Sequence, residues 1–311
     1  MLIIGGTALI GPHVLRELST SGVKELHTIT RTGKSYYCEH SHIGDRRDLN
    51  SLRQKIKDIK PDVLVDMIPF TQQDASCLVS AISDTYVNVI AISSIDVYSA
   101  YASLHKTEQL PLQECPLTES MNLRSAHGPE GKAYDKLSVE SIYCSNLENI
   151  SILRLPAIYG WPDTTRVSHY LDQMLDGCEQ IKLERSLANW MFSRCFHKNA
   201  AHAIALSVLS GNSGQHTYNV ADDKTFTERQ WIEKIADICG WTGTIVEVSK
   251  VTNSPNWLQH FYVSTVKIRS ELKYQEMYSP DEGLVDTIAF HAYQRTGNTY
   301  KNTIDRYFPG V

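Results

Sequence analysis

The sequence predicts an α/β protein with a doubly wound parallel sheet and a smaller C-terminal α/β lobe. A short apolar run at residues 2–4 breaks into glycines and reopens as a helical pattern. Short buried strands and helices then alternate through residue 93, as in parallel sheets with right-handed crossovers. The length of 311 residues, without an internal repeat or a low-complexity linker, suits one large unit with a second lobe.

The composition is that of an ordinary soluble protein. Hydrophobic residues make up 42% of the chain, charged residues 21%, and the net charge is -5, so no basic excess points to nucleic acid. The seven cysteines contain no Cys-x-x-Cys pair, which favours reduced thiols in a cytoplasmic protein. No run of about 18 apolar residues and no signal-type segment is present, so we expect neither membrane insertion nor export.

The first glycines predict a Rossmann-type nucleotide-binding turn. Gly5 and Gly6 let the backbone turn tightly, and the N-terminal N–H groups of the helix after Gly11 would face a pyrophosphate. Ala8 replaces the middle glycine of the usual fingerprint, and a simple strand-to-helix turn is the alternative. In this turn we expect cofactor contacts from Gly5, Gly6, Thr7, Leu9, Ile10 and Gly11.

A helix is predicted over residues 10–21 and a second strand over residues 25–31. The end of this second strand indicates the choice of cofactor. NAD sites place an acidic residue at this strand end for the ribose 2′-hydroxyl, whereas NADP sites supply a cation for the 2′-phosphate. This chain has Thr30 and Arg31, with Lys34 nearby. We expect NADP(H), with NAD(H) as the second choice; the alternative is that Arg31 is only a solvated loop cation.

The alternation continues with a helix predicted over residues 49–59, a strand over 63–68, a helix over 74–83 and a strand over 86–93. The carboxyl ends of parallel strands border the nucleotide site in such sheets. The further cofactor contacts that we expect are Asp45, Arg46, Met67, Ile68, Pro69, Ser93, Lys136, Leu155 and Pro156.

Cys38, His40 and His42 lie close together in the sequence. No matching pair of ligands follows them at the spacing of a zinc finger or a metalloprotease. We therefore expect no metal site.

Several short motifs follow one another in a fixed order. They are Gly5-Gly6-Thr7 with Ile10-Gly11, Gly44-Asp45, Ser93-Ser94-Ile95-Asp96-Val97-Tyr98, Lys136-Leu137-Ser138-Val139-Glu140, Leu153-Arg154-Leu155-Pro156-Ala157-Ile158-Tyr159-Gly160, Tyr218-Asn219-Val220-Ala221 and Glu282-Gly283-Leu284. Together they resemble the extended short-chain dehydrogenase/reductases, specifically the NAD(P)-dependent epimerase/dehydratase family. The resemblance implies a dinucleotide-binding domain over residues 1–157, a substrate lobe over 158–311 with segments that return to the core, a small-molecule substrate and often a homodimer.

The resemblance implies a serine, a tyrosine and a lysine at the active site. Ser94 would hydrogen-bond the reacting oxygen, and a tyrosine four residues before Lys136 would shuttle the proton. Lys136 would bind the nicotinamide ribose and lower the pKa of that phenol. Here Lys132 stands four residues before Lys136, and the nearby phenol is Tyr134. In a regular helix Tyr134 would point about 200° away from Lys136.

Three alternatives stay open for the proton-transfer group. An irregular helix start, caused by glycines at 128 and 131 and a proline at 129, would bring Tyr134 into the site. Lys132 would serve if desolvation beside Lys136 lowered its pKa. Asp96 or Tyr98, which the resemblance places near the substrate, is the third alternative, although Asp96 could simply cap a loop.

The segment from residue 160 onward resembles the substrate lobe of the family, in which an arginine often binds an anionic group. Arg166 and Arg194 are the candidates, unless each only ties the two lobes together. His197, before a helix predicted over 199–209, receives no role. Further helices are predicted over 166–175, over 227–240 and from 280 onward, and the tail over 294–311 is expected to pack on the lobe or on a partner subunit. The substrate contacts that we expect are Ser94, Trp161, Arg166, Trp190 and Arg194.

These observations predict an NADP-dependent enzyme that acts at a secondary alcohol or ketone of a small polar metabolite, such as a sugar nucleotide or a secondary metabolite. Reduction, epimerisation and dehydration all begin with the same hydride geometry, so the direction stays open. The alternatives are a non-catalytic dinucleotide sensor or scaffold, and a redox-neutral isomerisation or cyclisation that uses the bound cofactor.

Overall fold

The structure is a computed structural model that describes residues 1–35, 37–162, 165–249 and 251–296. Its strands are β1 (Leu2–Ile4), β2 (His27–Thr30), β3 (His40–Ile43), β4 (Val63–Asp66), β5 (Asn88–Ser94), β6 (Ile150–Leu155), β7 (Ala157–Tyr159), β8 (Gln180–Glu184), β9 (Met191–Phe192), β10 (Arg194–Phe196), β11 (Gln215–Asn219), β12 (Phe226–Thr227) and β13 (Thr244–Val248). Its helices are α1 (Gly11–Thr20), α2 (Leu49–Ile59), α3 (Gln72–Ala81), α4 (Ser99–His105), α5 (Lys136–Asn146), α6 (Ser168–Leu175), α7 (Arg185–Ala188), α8 (His197–Leu209), α9 (Glu228–Cys239), α10 (Val266–Leu272) and α11 (Pro280–Thr296).

Seven parallel strands form the central sheet, in the order β11-β6-β5-β4-β1-β2-β3. The chain builds outward from β1 to β3 on one side and from β4 to β11 on the other. The strand order therefore reverses between β1 and β4, and ligands bind such sheets in the crevice outside the strand ends at this reversal. The sheet confirms the predicted fold class.

Helices cover both faces of the sheet because alternate side chains of its buried strands point to opposite faces. Ile3 belongs to the hydrophobic cluster that includes Ile204 of α8 and residues of α1. Leu2 belongs to the other cluster, together with Leu78 of α3 and Val139 of α5. The two layers hold the carboxyl ends of the strands in fixed positions.

The C-terminal lobe combines three small sheets with helices α6, α9 and α11. In these sheets β7 pairs with β10, β9 with β12, and β8 with β13. Tyr159, Phe196 and Trp231 are buried in the core of the lobe. Two elements within this part of the chain return to the central sheet: α8 packs against α1, and β11 pairs with β6.

The bounds of the predicted elements differ from the observed ones by at most two residues. Strand β3 was not predicted, because His40, Ser41 and His42 give it a polar sequence at the exposed edge of the sheet. The expectation for the tail falls mostly on residues 297–311, which lie outside the described residues.

A buried ion pair ties the loop after β3 to the end of β4. Arg46 donates two hydrogen bonds to Asp66, at 2.5 and 2.7 Å, and Asp66 has no exposed surface. Tyr143 of α5 donates a third hydrogen bond to the same carboxylate. Removing one partner of such a pair leaves a buried charge without compensation.

The substitution Asp66→Asn should lower the free energy of unfolding by about 3–5 kcal/mol, because the buried charge of Arg46 would keep only the more distant carboxylate of Asp74, 3.6 Å from its Nε. Urea unfolding followed by circular dichroism measures the change. Asp58→Asn on the exposed face of α2 is the matched control, and its effect should stay within about 0.5 kcal/mol. Equal unfolding free energies for the two variants would contradict this role of Asp66.

Candidate active site

A cleft of about 480 Å³ opens at the carboxyl ends of β1, β2 and β4, where the strand order reverses. Several separate loops contribute to it, so the topology of the sheet assembles the cleft. Its lining includes ten of the residues predicted to contact the cofactor, namely Gly5, Gly6, Thr7, Leu9, Ile10, Arg31, Asp45, Arg46, Met67 and Ile68.

The turn at the base of this cleft requires glycine. Gly5 and Gly6 have φ angles of 97° and 100°, which residues with side chains rarely adopt. A Cβ atom on Gly11 would lie 2.3 Å from the Cα of Gly6, so α1 can approach the turn only without a side chain there. Ala8 is exposed and lines the cleft without closing it. This cradle before a helix N-terminus fits a pyrophosphate.

The arginines near the cleft differ in availability. Arg31 is exposed at the end of β2. Arg46 was predicted as a cofactor contact, but its guanidinium binds Asp66 and its charge is neutralised there. The next residue, Arg47, was not predicted as a contact, yet it also lines the cleft. Its side chain is half exposed and donates a hydrogen bond to Asp74 at 2.9 Å. Two consecutive arginines after Gly-Asp were the signal that could have found it.

Lys136 is the first residue of α5 and is buried, with only 2% of its surface exposed. Its ammonium group donates to the carbonyls of Pro69, at 3.0 Å, and Ile92, at 2.8 Å. Burial lowers the pKa of Lys136 to about 8. The ammonium nitrogen lies 4.9 Å from the ring centroid of Phe70 and 5.5 Å from that of Tyr134.

Tyr134 lies before the regular part of α5, so the expectation from helix periodicity does not apply to it. Its φ and ψ angles of −141° and 94° are those of extended backbone. A single 3-10 turn at Gly131–Ala133 precedes it, and Gly131 has a φ angle of 65°. The start of α5 is therefore irregular, as the first of the three alternatives requires. Lys132 is exposed within the 3-10 turn.

Ser94 lies beside Tyr134 and Asp96. Its hydroxyl, at the end of β5, accepts the backbone N–H of Asp96 at 3.2 Å, and its proximity opposes the rise in the pKa of both side chains. Burial raises the pKa of Asp96 to about 6. Burial also raises the pKa of Tyr134 above its usual value, and the charge of Asp96 adds to this effect. Two groups with separated pKa values therefore lie beside the Ser94 hydroxyl.

Tyr98 and Ser93 belong to a buried polar network, which corrects the expectation that they face the ligands. The Tyr98 hydroxyl donates to Asn219 at 2.7 Å and accepts from Arg154 at 3.0 Å. Arg154 pairs with Glu140 at 2.7 Å, and the same carboxylate accepts a hydrogen bond from Ser93 at 2.5 Å. The buried charge of Arg154 needs these partners. Leu155 and Pro156, also predicted as cofactor contacts, are buried at the end of β6.

A second cavity has a volume of about 670 Å³. Its lining includes Asp96 and Tyr134, the two side chains beside Ser94. Segments of the C-terminal lobe form much of the remaining lining. Three residues predicted to contact the substrate are among them, namely Arg166, Trp190 and Arg194.

Two residues predicted to contact the substrate have other partners. Arg194 forms a buried ion pair with Glu228, which also accepts a hydrogen bond from Tyr170 at 2.8 Å. This pairing was not predicted, because it joins residues that are 34 positions apart in the chain. Trp161 stacks on Phe290 of α11, with ring centroids 4.6 Å apart, and is not among the residues that line the cavity.

His197 received no role from the sequence, yet it lies between the two lobes. It begins α8 with only 2% of its surface exposed. A Cβ atom on Gly160 would lie 2.4 Å from its ring, and the ring of His13 lies 4.3 Å away. Burial, together with the smaller effects of the charges of His13 and Lys198, lowers the pKa of His197 to about 3. The imidazole is therefore neutral in the folded protein.

His197 should make the protein sensitive to acid. Its pKa of about 3 in the fold lies below the ordinary value of 6.5, so between these values the unfolded chain binds a proton that the folded chain excludes. The contribution to stability is present above the ordinary pKa and falls by about 1.4 kcal/mol per pH unit below it.

Urea unfolding at several pH values tests this expectation. His197→Gln should flatten the loss of stability as the pH falls through the weakly acidic range, whereas His40→Gln on the exposed edge strand should keep the wild-type slope. Parallel slopes for wild type and His197→Gln would exclude the buried imidazole as the cause.

The fold and the glycine turn define a protein of the dinucleotide-binding class. The model of the NAD dependent epimerase/dehydratase family matches residues 1–221. The chain therefore belongs to this family, which confirms the resemblance seen in the motifs. A comparison with curated proteins found no match.

Several solved structures share the fold. MoeE5 in complex with UDP-glucuronic acid and NAD is 18% identical, with a TM-score of 0.73 over 94% of this chain and 99% of that chain. A UDP-glucose 4-epimerase from Thermotoga maritima with UDP-glucose is 15% identical, with a TM-score of 0.73 and the same coverage. A dTDP-glucose 4,6-dehydratase from Bacillus anthracis in complex with NAD is 17% identical, with a TM-score of 0.71 over 97% and 98% of the two chains. At these identities the likeness shows the fold alone.

Within the described ranges, no helix has both the length and the apolar character needed to cross a membrane. The same residues include no group of three or more histidine, cysteine or acidic side chains arranged to hold a metal ion. In the segment considered for a metal, the Cys38 thiol donates to the carbonyl of Leu26, and His42 hydrogen-bonds His27.

Proposed function

We propose that the protein is an NAD(P)-dependent enzyme that acts at a secondary alcohol or ketone of a small metabolite, by reduction, epimerisation or dehydration. The observation that carries the proposal is the convergence of Ser94, Tyr134 and Lys136 between the two cavities. Phe70 lines the cofactor cleft, Tyr134 lines the second cavity, and the ammonium group of Lys136 lies near both rings.

The residues of the first cleft fit a dinucleotide. When bound, the nicotinamide exchanges a hydride with the substrate carbon. The turn at Gly5 and Gly6 would hold the pyrophosphate, while Met67 and Ile68 line the cleft after β4. NAD in the solved neighbours supports this assignment.

Ser94, Tyr134 and Asp96 would position the substrate and move its proton. The Ser94 hydroxyl would hold the reacting oxygen. Because its pKa is raised, Tyr134 carries its proton in the resting site and is suited to give it to a developing alkoxide. Asp96, with a pKa of about 6, is ionised at neutral pH and is suited to accept a proton. In alcohol oxidation the bound cofactor would accept the hydride from the substrate carbon, and this cluster would take the hydroxyl proton.

The geometry favours Tyr134 over the other candidates for proton transfer. Lys132 is exposed, whereas the hydroxyl of Tyr98 is held by Asn219 and Arg154 in the core. A non-catalytic sensor would have no need for a phenol, a serine and a buried lysine beside a second cavity.

Tyr134→Phe should lower kcat by about 10²–10⁴-fold, because it removes only the proton-bearing oxygen. Cofactor affinity, measured by calorimetry, should stay unchanged. The assay follows nicotinamide absorbance with a panel of ketones and secondary alcohols, together with the mass of the products.

The matched control is Tyr86→Phe, at a phenol that is 82% exposed, and it should keep wild-type activity. Lys132→Ala should also keep it. Full activity in Tyr134→Phe combined with loss of activity in Lys132→Ala would transfer the proton-transfer role to the lysine and refute this assignment.

We also propose that NADP(H) binds in preference to NAD(H). Support comes from Arg31, which is exposed at the edge of the cleft, and from Thr30, which occupies the place of an acidic residue at the end of β2.

Arg31→Ala should weaken NADP(H) binding by about 10–100-fold, because it removes a charged hydrogen bond to the 2′-phosphate. NAD(H) binding should change little. Calorimetry with the four nicotinamide dinucleotides measures both affinities. Arg185→Ala is the control, because the Arg185 side chain on α7 is exposed. Tighter binding of NAD(H) than NADP(H) by the wild-type protein would overturn the preference.

The substrate is proposed to be a small molecule, as in the neighbours, whose structures hold UDP-glucuronic acid or UDP-glucose. Assembly as a homodimer and a cytoplasmic location are proposals that rest on the family resemblance and the reduced cysteines.

A further inference from the structure

One wall of the second cavity is made of aromatic rings. Trp190 lies 4.7 Å from Phe192 and 5.0 Å from Trp257, measured between ring centroids. Phe261 extends the wall, with its centroid 6.0 Å from that of Phe192 and 5.6 Å from that of Tyr101. All five side chains line the cavity. Such a wall offers apolar contact to one face of a ring-shaped ligand.

The charged groups around the cavity have an acidic excess. Among the described residues of the lining, the carboxylates are Asp96, Glu130 and Glu228, and the guanidinium groups are Arg166 and Arg194. Three carboxylates against two guanidinium groups leave one negative charge in excess.

The charge of Arg194 is already compensated inside the protein. Its guanidinium is paired with Glu228, and both side chains are largely buried. Glu228 is the first residue of α9, where the helix dipole favours a negative charge. This carboxylate therefore occupies a position that would otherwise suit a phosphate group.

We propose that the cavity takes an uncharged, hydroxylated ring compound, such as a neutral glycoside, and excludes nucleoside diphosphates. The inference rests on the proposed function, because it names the substrate class of the same site. A diphosphate would bring negative charge close to the exposed carboxylate of Glu130 and to Asp96, which is shielded from solvent, so that repulsion there is screened weakly. An uncharged ring can lie on the aromatic wall while its hydroxyl groups donate to these carboxylates.

The ligands of the solved neighbours do not decide this question. UDP-glucose and UDP-glucuronic acid belong to proteins of 15% and 18% identity, which share the fold with this chain. One fold hosts sites of different chemistry, so the lining of the cavity decides what binds.

The test compares two compounds that carry the same glucose ring. Phenyl β-D-glucopyranoside is uncharged and has an aromatic group, whereas UDP-glucose carries a diphosphate. Calorimetry and tryptophan fluorescence are measured on the full chain saturated with its nicotinamide cofactor. The glucoside should bind at least about tenfold more tightly than UDP-glucose, and its binding should change the fluorescence of Trp190 and Trp257.

Glu228→Gln keeps a hydrogen-bond acceptor for Tyr170 but leaves the charge of Arg194 uncompensated. It should raise the affinity for UDP-glucose by about tenfold or more and leave the affinity for the glucoside nearly unchanged. Glu130→Gln removes a negative charge at a more exposed place and should also raise the affinity for UDP-glucose, while the amide oxygen still accepts a hydrogen bond from the glucoside. This variant keeps the test decisive if Glu228→Gln does not fold. Glu233→Gln, on the exposed part of α9, is the matched control and should change neither affinity.

Tighter binding of UDP-glucose than of the glucoside by the wild-type protein overturns the proposal, and so does the absence of binding by the glucoside. The same measurements on Tyr134→Phe separate this inference from the proposed function. If the glucoside binds both proteins but neither converts any alcohol or ketone, the chemistry fails and the specificity of the cavity stands. If UDP-glucose is turned over, the proposed chemistry stands and the proposed specificity of the cavity fails.

Discussion

The buried ammonium group of Lys136 is the constraint on which the site depends. A charged group inside a protein is tolerated only with polar partners, and here the carbonyls of Pro69 and Ile92 supply them at 3.0 and 2.8 Å. Those carbonyls belong to the end of β5 and to the loop after β4. The lysine thereby fixes the start of α5 against the edge of the sheet and limits where Tyr134, two residues earlier in the chain, can lie.

The sequence carried enough information for the sheet strands β1, β2, β4 and β5 and for the glycine turn beside them, because these features are encoded locally. The apolar run at residues 2–4 indicates a buried strand. The glycines that follow it indicate a turn with positive φ angles. The position of Tyr134 was harder to predict, because it depends on whether α5 begins one turn earlier, within the usual uncertainty of a helix boundary. The pairing of Arg194 with Glu228 was not predictable, since nothing local joins two residues so distant in sequence.

The comparison of Arg46 with Arg47 shows how adjacent residues of one type take different roles. The carboxylate of Asp66 is buried and requires a cation, so Arg46 is held inside, and its neighbour remains at the cleft. The same principle separates Tyr98 from Tyr134. A hydroxyl beside a buried guanidinium is used for structure, whereas a hydroxyl beside Ser94 and a cavity is available for chemistry.

The two-residue spacing between Tyr134 and Lys136 changes how such a site can evolve. When both groups project from one helix, their separation is fixed by the helical repeat, and any shift of the helix moves both. Here the lysine belongs to the rigid scaffold and the phenol to a connecting segment. Substitutions or length changes before residue 134 can therefore shift the phenol of Tyr134 without disturbing the ammonium group of Lys136, so the two groups of the proposed site can change position independently.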